Sequence, residues 1–93
     1  MIKSFRCKYT ENLFGRQFPR KWSDDVCRVA LRKLLIIHAC TELESLRVPP
    51  SNRLEKLKGD RGGQYSIRVN QKWRICFSWK GGDAFDVEIV DYH

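Results

Sequence analysis

The strictest constraint on this chain is the alternation of side chains between positions 64 and 79. Tyr65, Ile67 and Val69 are apolar, whereas Gln64, Ser66 and Arg68 are polar. Trp73, Ile75, Phe77 and Trp79 are apolar again, with Arg74, Cys76 and Ser78 between them. A period of two predicts two strands, each with one buried face. Residues directly opposite in an antiparallel pair share a face, and a slip of one residue reverses every side chain. A two-residue turn would set Ile67 against Arg74, an apolar residue against a cation. A three-residue loop, Asn70-Gln71-Lys72, matches all three pairs: Val69 with Trp73, Arg68 with Arg74, and Ile67 with Ile75. The expected loop is the longer one, with Asn70 accepting the positive φ that such loops often need.

This pairing has a chemical consequence. Arg68 and Arg74 come side by side on the face turned away from the core. Like charges directly opposite are destabilising. Either an anion belongs between them, or they are two solvated surface arginines. The segment 53–80 around them is strongly basic. It holds eight cations (Arg53, Lys56, Lys58, Arg61, Arg68, Lys72, Arg74 and Lys80) against two acids, Glu55 and Asp60. Of these, Lys56, Arg61, Arg68 and Lys72 are expected to contact a polyanion backbone.

The rest of the chain supplies a cover for the sheet. Positions 2–5 alternate and predict a short first strand. Positions 9–14 predict a short helix ended by Gly15. Ser23, Asp24 and Asp25 form a helix start, a capping serine followed by acids in the first turn. Val26, Cys27, Ala30, Leu31, Leu34, Ile37 and Cys40 then recur at three- and four-residue steps, predicting a main helix over 23–40. Residues 41–46 extend it by about a turn, and Pro49-Pro50 ends all helix. Positions 54–58 read as a strand. Gly81-Gly82-Asp83 reads as a turn before a last strand over 85–89. The order predicts one α+β domain over 1–93, with two N-terminal helices on one face of a mainly antiparallel sheet of four to five strands.

Charge and cysteine usage narrow the function. The 93 residues carry a formal charge of +7, which favours nucleic acid or another acidic partner. No apolar run approaches the roughly 20 residues of a membrane span. The N-terminus lacks an apolar signal segment, so the expected location is the cytoplasm. Cys7, Cys27, Cys40 and Cys76 are widely spaced and no CxxC occurs. The expectation is reduced thiols, no metal and no cofactor.

The last two strands, if their faces match, pair Trp79 with Phe85 across another odd loop and set Val90 opposite Arg74. One patch then gathers Glu55, Lys58, Arg68, Arg74, Asp91, Tyr92 and His93. That set suits RNA cleavage by internal attack: a base takes the 2′-OH proton, cations stabilise the phosphorane, and an acid protonates the leaving 5′ oxygen. An aromatic ring can stack on a splayed base.

The run PPSNRLEKLKGDRGGQYSIRVNQKWRICFSW, the terminal DYH and the opening IKSFR resemble the HigB toxins of the RelE/ParE superfamily, of the plasmid-maintenance killer-protein type. The resemblance spans almost the whole chain and implies the same α+β fold. It implies a toxin of a type II toxin-antitoxin system that inhibits translation as a ribosome-dependent mRNA endoribonuclease cutting in the A site. It also implies as partners the 70S ribosome with its mRNA and a HigA-like helix-turn-helix antitoxin, with operator DNA reached only through that antitoxin. Residue by residue, Lys58 matches the lysine of the family's LKG motif and Arg74 the arginine after its tryptophan. Asp91, Tyr92 and His93 match the terminal DYH. Glu55 departs from the pattern, because many HigB toxins have a histidine there. The related YoeB toxins have a glutamate, assigned as their general base. Glu55 is then either a base with His93 as the acid, or an inert surface residue with Asp91 or the ribosome supplying the base. Two other functions fit the same cations: a ParE-like toxin directed at DNA gyrase, and a non-catalytic ribosome- or RNA-binding module.

Overall fold

The computed structural model describes residues 1–91. Two helices come first, α1 (Lys8–Phe14) and α2 (Asp24–Ala39). Four strands follow: β1 (Glu55–Lys56), β2 (Gln64–Arg68), β3 (Trp73–Lys80) and β4 (Asp83–Asp91). They form one antiparallel sheet in the order β1-β2-β3-β4. Helix α2 begins as its sequence dictates: the Ser23 side chain accepts a hydrogen bond from the Val26 N–H at 3.3 Å, and Asp24 and Asp25 occupy the first turn. The side chain thus satisfies one of the N–H groups that no earlier carbonyl can reach. Its buried stripe is Cys27, Ala30, Leu31, Leu34 and Ile37. With Leu13 of α1 it packs in one core with Ile67, Ile75, Phe77, Val87 and Ile89 of the sheet. Complete burial of a side chain such as Phe77 contributes about 1.5–3 kcal/mol.

The first hairpin has the expected register. Ile67 lies opposite Ile75 and Arg68 opposite Arg74, and the Val69 N–H donates to the Trp73 carbonyl at 2.9 Å. The loop needs no positive φ, contrary to expectation: none of its three residues adopts one. Instead the Asn70 side-chain oxygen accepts from the N–H groups of Lys72 and Trp73, each at 2.8 Å, and closes the turn itself.

The second hairpin departs from the expected register at its turn and returns to it further along. Gly81 and Gly82 have φ of 61° and 82°, the signature of a two-residue type I′ turn. Trp79 therefore pairs with Ala84, not Phe85. A β-bulge then adds one residue to β4: Asp86 stands at φ 53°, and the register shifts between Cys76 and Ser78. Beyond it Cys76 faces Glu88 and Arg74 faces Val90, as expected.

Residues 2–5 do not make a full strand. They run parallel to β4 through isolated bridges, Ile2 with Ala84 and Phe5 with Val87. The Lys3 N–H donates to the Ala84 carbonyl at 2.8 Å, and the Ile89 N–H donates to Thr10 Oγ1 at 3.0 Å. This segment covers an edge that would otherwise present unpaired backbone groups. The expected strand over 54–58 is confined to Glu55–Lys56, and a 3₁₀ turn follows at Gly59–Arg61. A 3₁₀ turn at Leu43–Arg47 takes the place of the expected extension of the main helix.

Candidate active site

The sheet face away from the helices, expected to carry Arg68 and Arg74 side by side, is largely covered. Ser66, Gln64, Cys76 and Arg74 are all buried there, Arg74 with only 4% of its surface exposed. Alternation told which face each side chain takes, but not that the Arg53 carbonyl and the Arg61 side chain reach that face and bond to Arg74 and Glu88. Arg61 spans one part of it. Its Nη1 donates to Glu88 Oε1 at 2.6 Å and to Gln64 Oε1 at 3.2 Å, above Cys76. Arg61, expected to bind RNA, is therefore held in an internal ion pair. Burial is the main cause that pushes the Cys76 thiol above its ordinary range.

Arg74 is positioned from two sides. Its Nε donates to Ser66 Oγ at 2.8 Å, and its Nη2 donates to the Arg53 carbonyl at 2.6 Å. Nη2 also lies 3.9 Å from Glu55 Oε2, whose side chain is 43% exposed. Arg74 therefore also has a structural part: it ties β3 to β2 and to the preceding loop. The arrangement suits an anion site, since hydrogen bonds along a planar guanidinium keep its charge in a fixed place.

Arg53, which sequence reasoning did not single out, owes its placement to Asn52. The buried Asn52 amide donates to the carbonyls of Leu46 and Val48 at 3.2 and 3.3 Å, and its oxygen accepts from Lys33 Nζ. Arg53 then takes a left-handed conformation, φ 46° and ψ 57°. Such a backbone is uncommon outside glycine and often marks a functional position. The signal available in the sequence was an asparagine just after Pro49-Pro50, a turn former where the chain must reverse.

These groups line a cleft of about 270 Å³ bounded by Arg53, Glu55, Arg68, Asn70, Gln71 and Arg74. Three arginines meet there with one carboxylate. Of the residues expected in the site, Glu55, Arg68 and Arg74 are together. Lys58 is exposed at the start of the Gly59–Arg61 turn and does not line the cleft. Lys56 is exposed on β1 opposite Tyr65. Lys72 sits 5.2 Å from the Trp73 ring centroid, with Nζ 3.9 Å from Asp91 Oδ2. Asp91 lies opposite Trp73 at the end of β4. Tyr92 and His93 lie outside the described residues. Among the described residues, no cluster of three or more His, Cys, Asp or Glu could hold a metal ion, and no helix is long and apolar enough to cross a membrane.

Comparison with known proteins agrees with this architecture. Residues 3–93 match the family model described as the RelE-like toxin of type II toxin-antitoxin system HigB. Toxin HigB-1 of Vibrio cholerae serotype O1 is 46% identical over 87 residues, 92% of each chain. Endoribonuclease HigB of Proteus vulgaris is 39% identical over 94 residues, covering both chains completely. Among solved structures, the toxin-antitoxin heterotetramer YoeB-YefM of Staphylococcus aureus superposes with a TM-score of 0.56 at 17% identity, over 100% of this chain and 98% of that one. The YoeB dimer of the same organism gives 0.54 at 18%, over 99% and 97%. This likeness concerns the fold. The chain belongs to the RelE-like HigB toxins of type II toxin-antitoxin systems.

Proposed function

We propose that this toxin is an endoribonuclease that cuts mRNA in the A site of the 70S ribosome and is neutralised by a HigA-like helix-turn-helix antitoxin. The observation that carries the reading is the cleft in which Arg53, Arg68 and Arg74 surround a space reached by the Glu55 carboxylate. Arg74 is fixed before substrate arrives, so little reorganisation is needed when charge develops on the phosphorane. Glu55 acts as general base on the 2′-OH. Arg74 and Arg68 hold the non-bridging oxygens, and His93 protonates the leaving 5′ oxygen. Lys58 acts on the phosphate backbone and Tyr92 on a base. Lys56 and Lys72, both exposed, add backbone contacts. The name of the Proteus vulgaris relative, an endoribonuclease, supports the same chemistry.

The test is primer extension on a defined message with purified toxin, with and without ribosomes, beside a DNA gyrase supercoiling assay. The expected result is cleavage at discrete codons only when ribosomes are present, with gyrase unaffected. Inhibited gyrase with intact RNA would replace the reading with a gyrase-directed toxin. Ribosome binding without cuts would replace it with a binding module.

A further inference from the structure

The cleft does not end at Arg68. Arg68 and Asn70 also line a second depression of about 280 Å³, whose other side is formed by Arg32 and Lys33 of α2 together with Ser51. Three cations from two elements converge there, and among the described residues no carboxylate lines it. Arg32 is exposed and contributes nothing to the core. Lys33 is aimed by its hydrogen bond to the buried Asn52, the same residue that sets Arg53 beside the first cleft. Burial, and then the neighbouring Arg32 charge, push the Lys33 ammonium below its usual range. A positive group held in that way is relieved by an incoming anion. The Ser51 hydroxyl and Asn70 amide add uncharged partners of the kind that phosphate oxygens accept from.

We propose that this depression is a second RNA-phosphate subsite, with Arg32, Lys33 and Arg68 as its ligands, contiguous with the cleft at Arg74. It rests on the endoribonuclease reading, because it takes the same polyanion one step further along the surface. Arg68 is the shared post: it faces the scissile position on one side and the second phosphate on the other. Asn52 links the two halves, since one amide fixes both Lys33 and the loop that carries Arg53.

The variant that tests this is Arg32→Gln, because the side chain is exposed and lies outside the catalytic cleft. Two binding measurements on the full-length protein are needed, each at several salt concentrations. One uses an uncleavable hexadeoxynucleotide and the other uses ribosomes carrying a message. Loss of one charged contact should weaken binding about ten-fold at low salt. It should also flatten the salt slope by about 0.7 for a single strand. A loss with the hexadeoxynucleotide identifies the second phosphate as part of the cleaved strand. A loss with ribosomes alone identifies it as ribosomal RNA. Unchanged affinity and slope in both overturns the subsite. Cleavage by the wild-type protein is scored separately. RNA binding through Arg32 without any cutting would overturn the endoribonuclease reading and leave the subsite standing.

Discussion

At the scale of single residues, the proposed site turns on Arg74, which is buried and held by hydrogen bonds. Its neighbour Ser66 is wholly buried and accepts from Arg74 Nε. Ser66→Ala leaves that donor without its acceptor, so stability should fall by about 1–3 kcal/mol. The guanidinium also loses its Ser66 hydroxyl anchor, and a misplacement of about 1 Å can slow a reaction roughly 100-fold. Urea unfolding and single-turnover cleavage measure the two effects. Unchanged stability would show that the bond does not hold Arg74. Cys76 gives a test in pH. Burial pushes its thiol up, while in the unfolded chain a thiol ionises near pH ~8.5. Below that value both states keep the proton and the stabilising contribution is complete. As pH rises towards the folded-state value, the unfolded chain alone loses its proton and the contribution is lost. The stability gap between the wild type and Cys76→Ala should therefore shrink above pH ~9, as read by urea unfolding at pH 7 and pH 9.5. A gap that stays constant or widens would contradict the account.

At the scale of elements, the β4 bulge is what delivers Val90 to Arg74. The type I′ turn alone would leave every later residue of β4 one place out of register. Asp86, at φ 53°, absorbs the difference. Asp86→Val places a β-branched residue in the left-handed region and should destabilise by about 1–3 kcal/mol. Asp86→Gly should be neutral or mildly stabilising. Chemical denaturation of both variants checks this, and equal stabilities would remove the bulge from the argument. The same element shows how far the sequence could be read. The faces of β2 and β3 and the pairing of Arg68 with Arg74 were legible because side-chain period and charge act locally. Helix α2 was legible for the same reason, from its cap and its stripe. The Gly-Gly turn with its compensating bulge was not, because two errors of one residue cancel and leave the polarity pattern intact. The burial of Arg74 was hidden too. It depends on the Arg53 carbonyl, 21 residues away in the chain, and on an Asn52 side chain that only the folded loop can satisfy.

At the scale of the whole molecule, the helices and the sheet divide the work. The helical side buries the core, and the opposite side of the sheet collects charge. The N-terminal segment closes the β4 edge, so the basic cleft lies near the other edge of the sheet, where β1 is short and Glu55 is accessible. The fold of this superfamily and the membership of the chain in it rest on the match over residues 3–93. The proposed chemistry rests on the cleft, and Glu55 is where it is most directly exposed to test. Glu55 sits on an exposed edge, so Glu55→Gln should leave the fold intact by circular dichroism. The deciding measurement is single-turnover cleavage of mRNA in a preformed ribosome complex, by wild type and Glu55→Gln, across a range of pH. The wild-type rate should be bell-shaped in pH, and Glu55→Gln should cut about 10²–10⁴-fold more slowly with the acidic limb gone. A wild-type rate with the acidic limb unchanged would contradict the account and pass the role of base to Asp91 or to the ribosome.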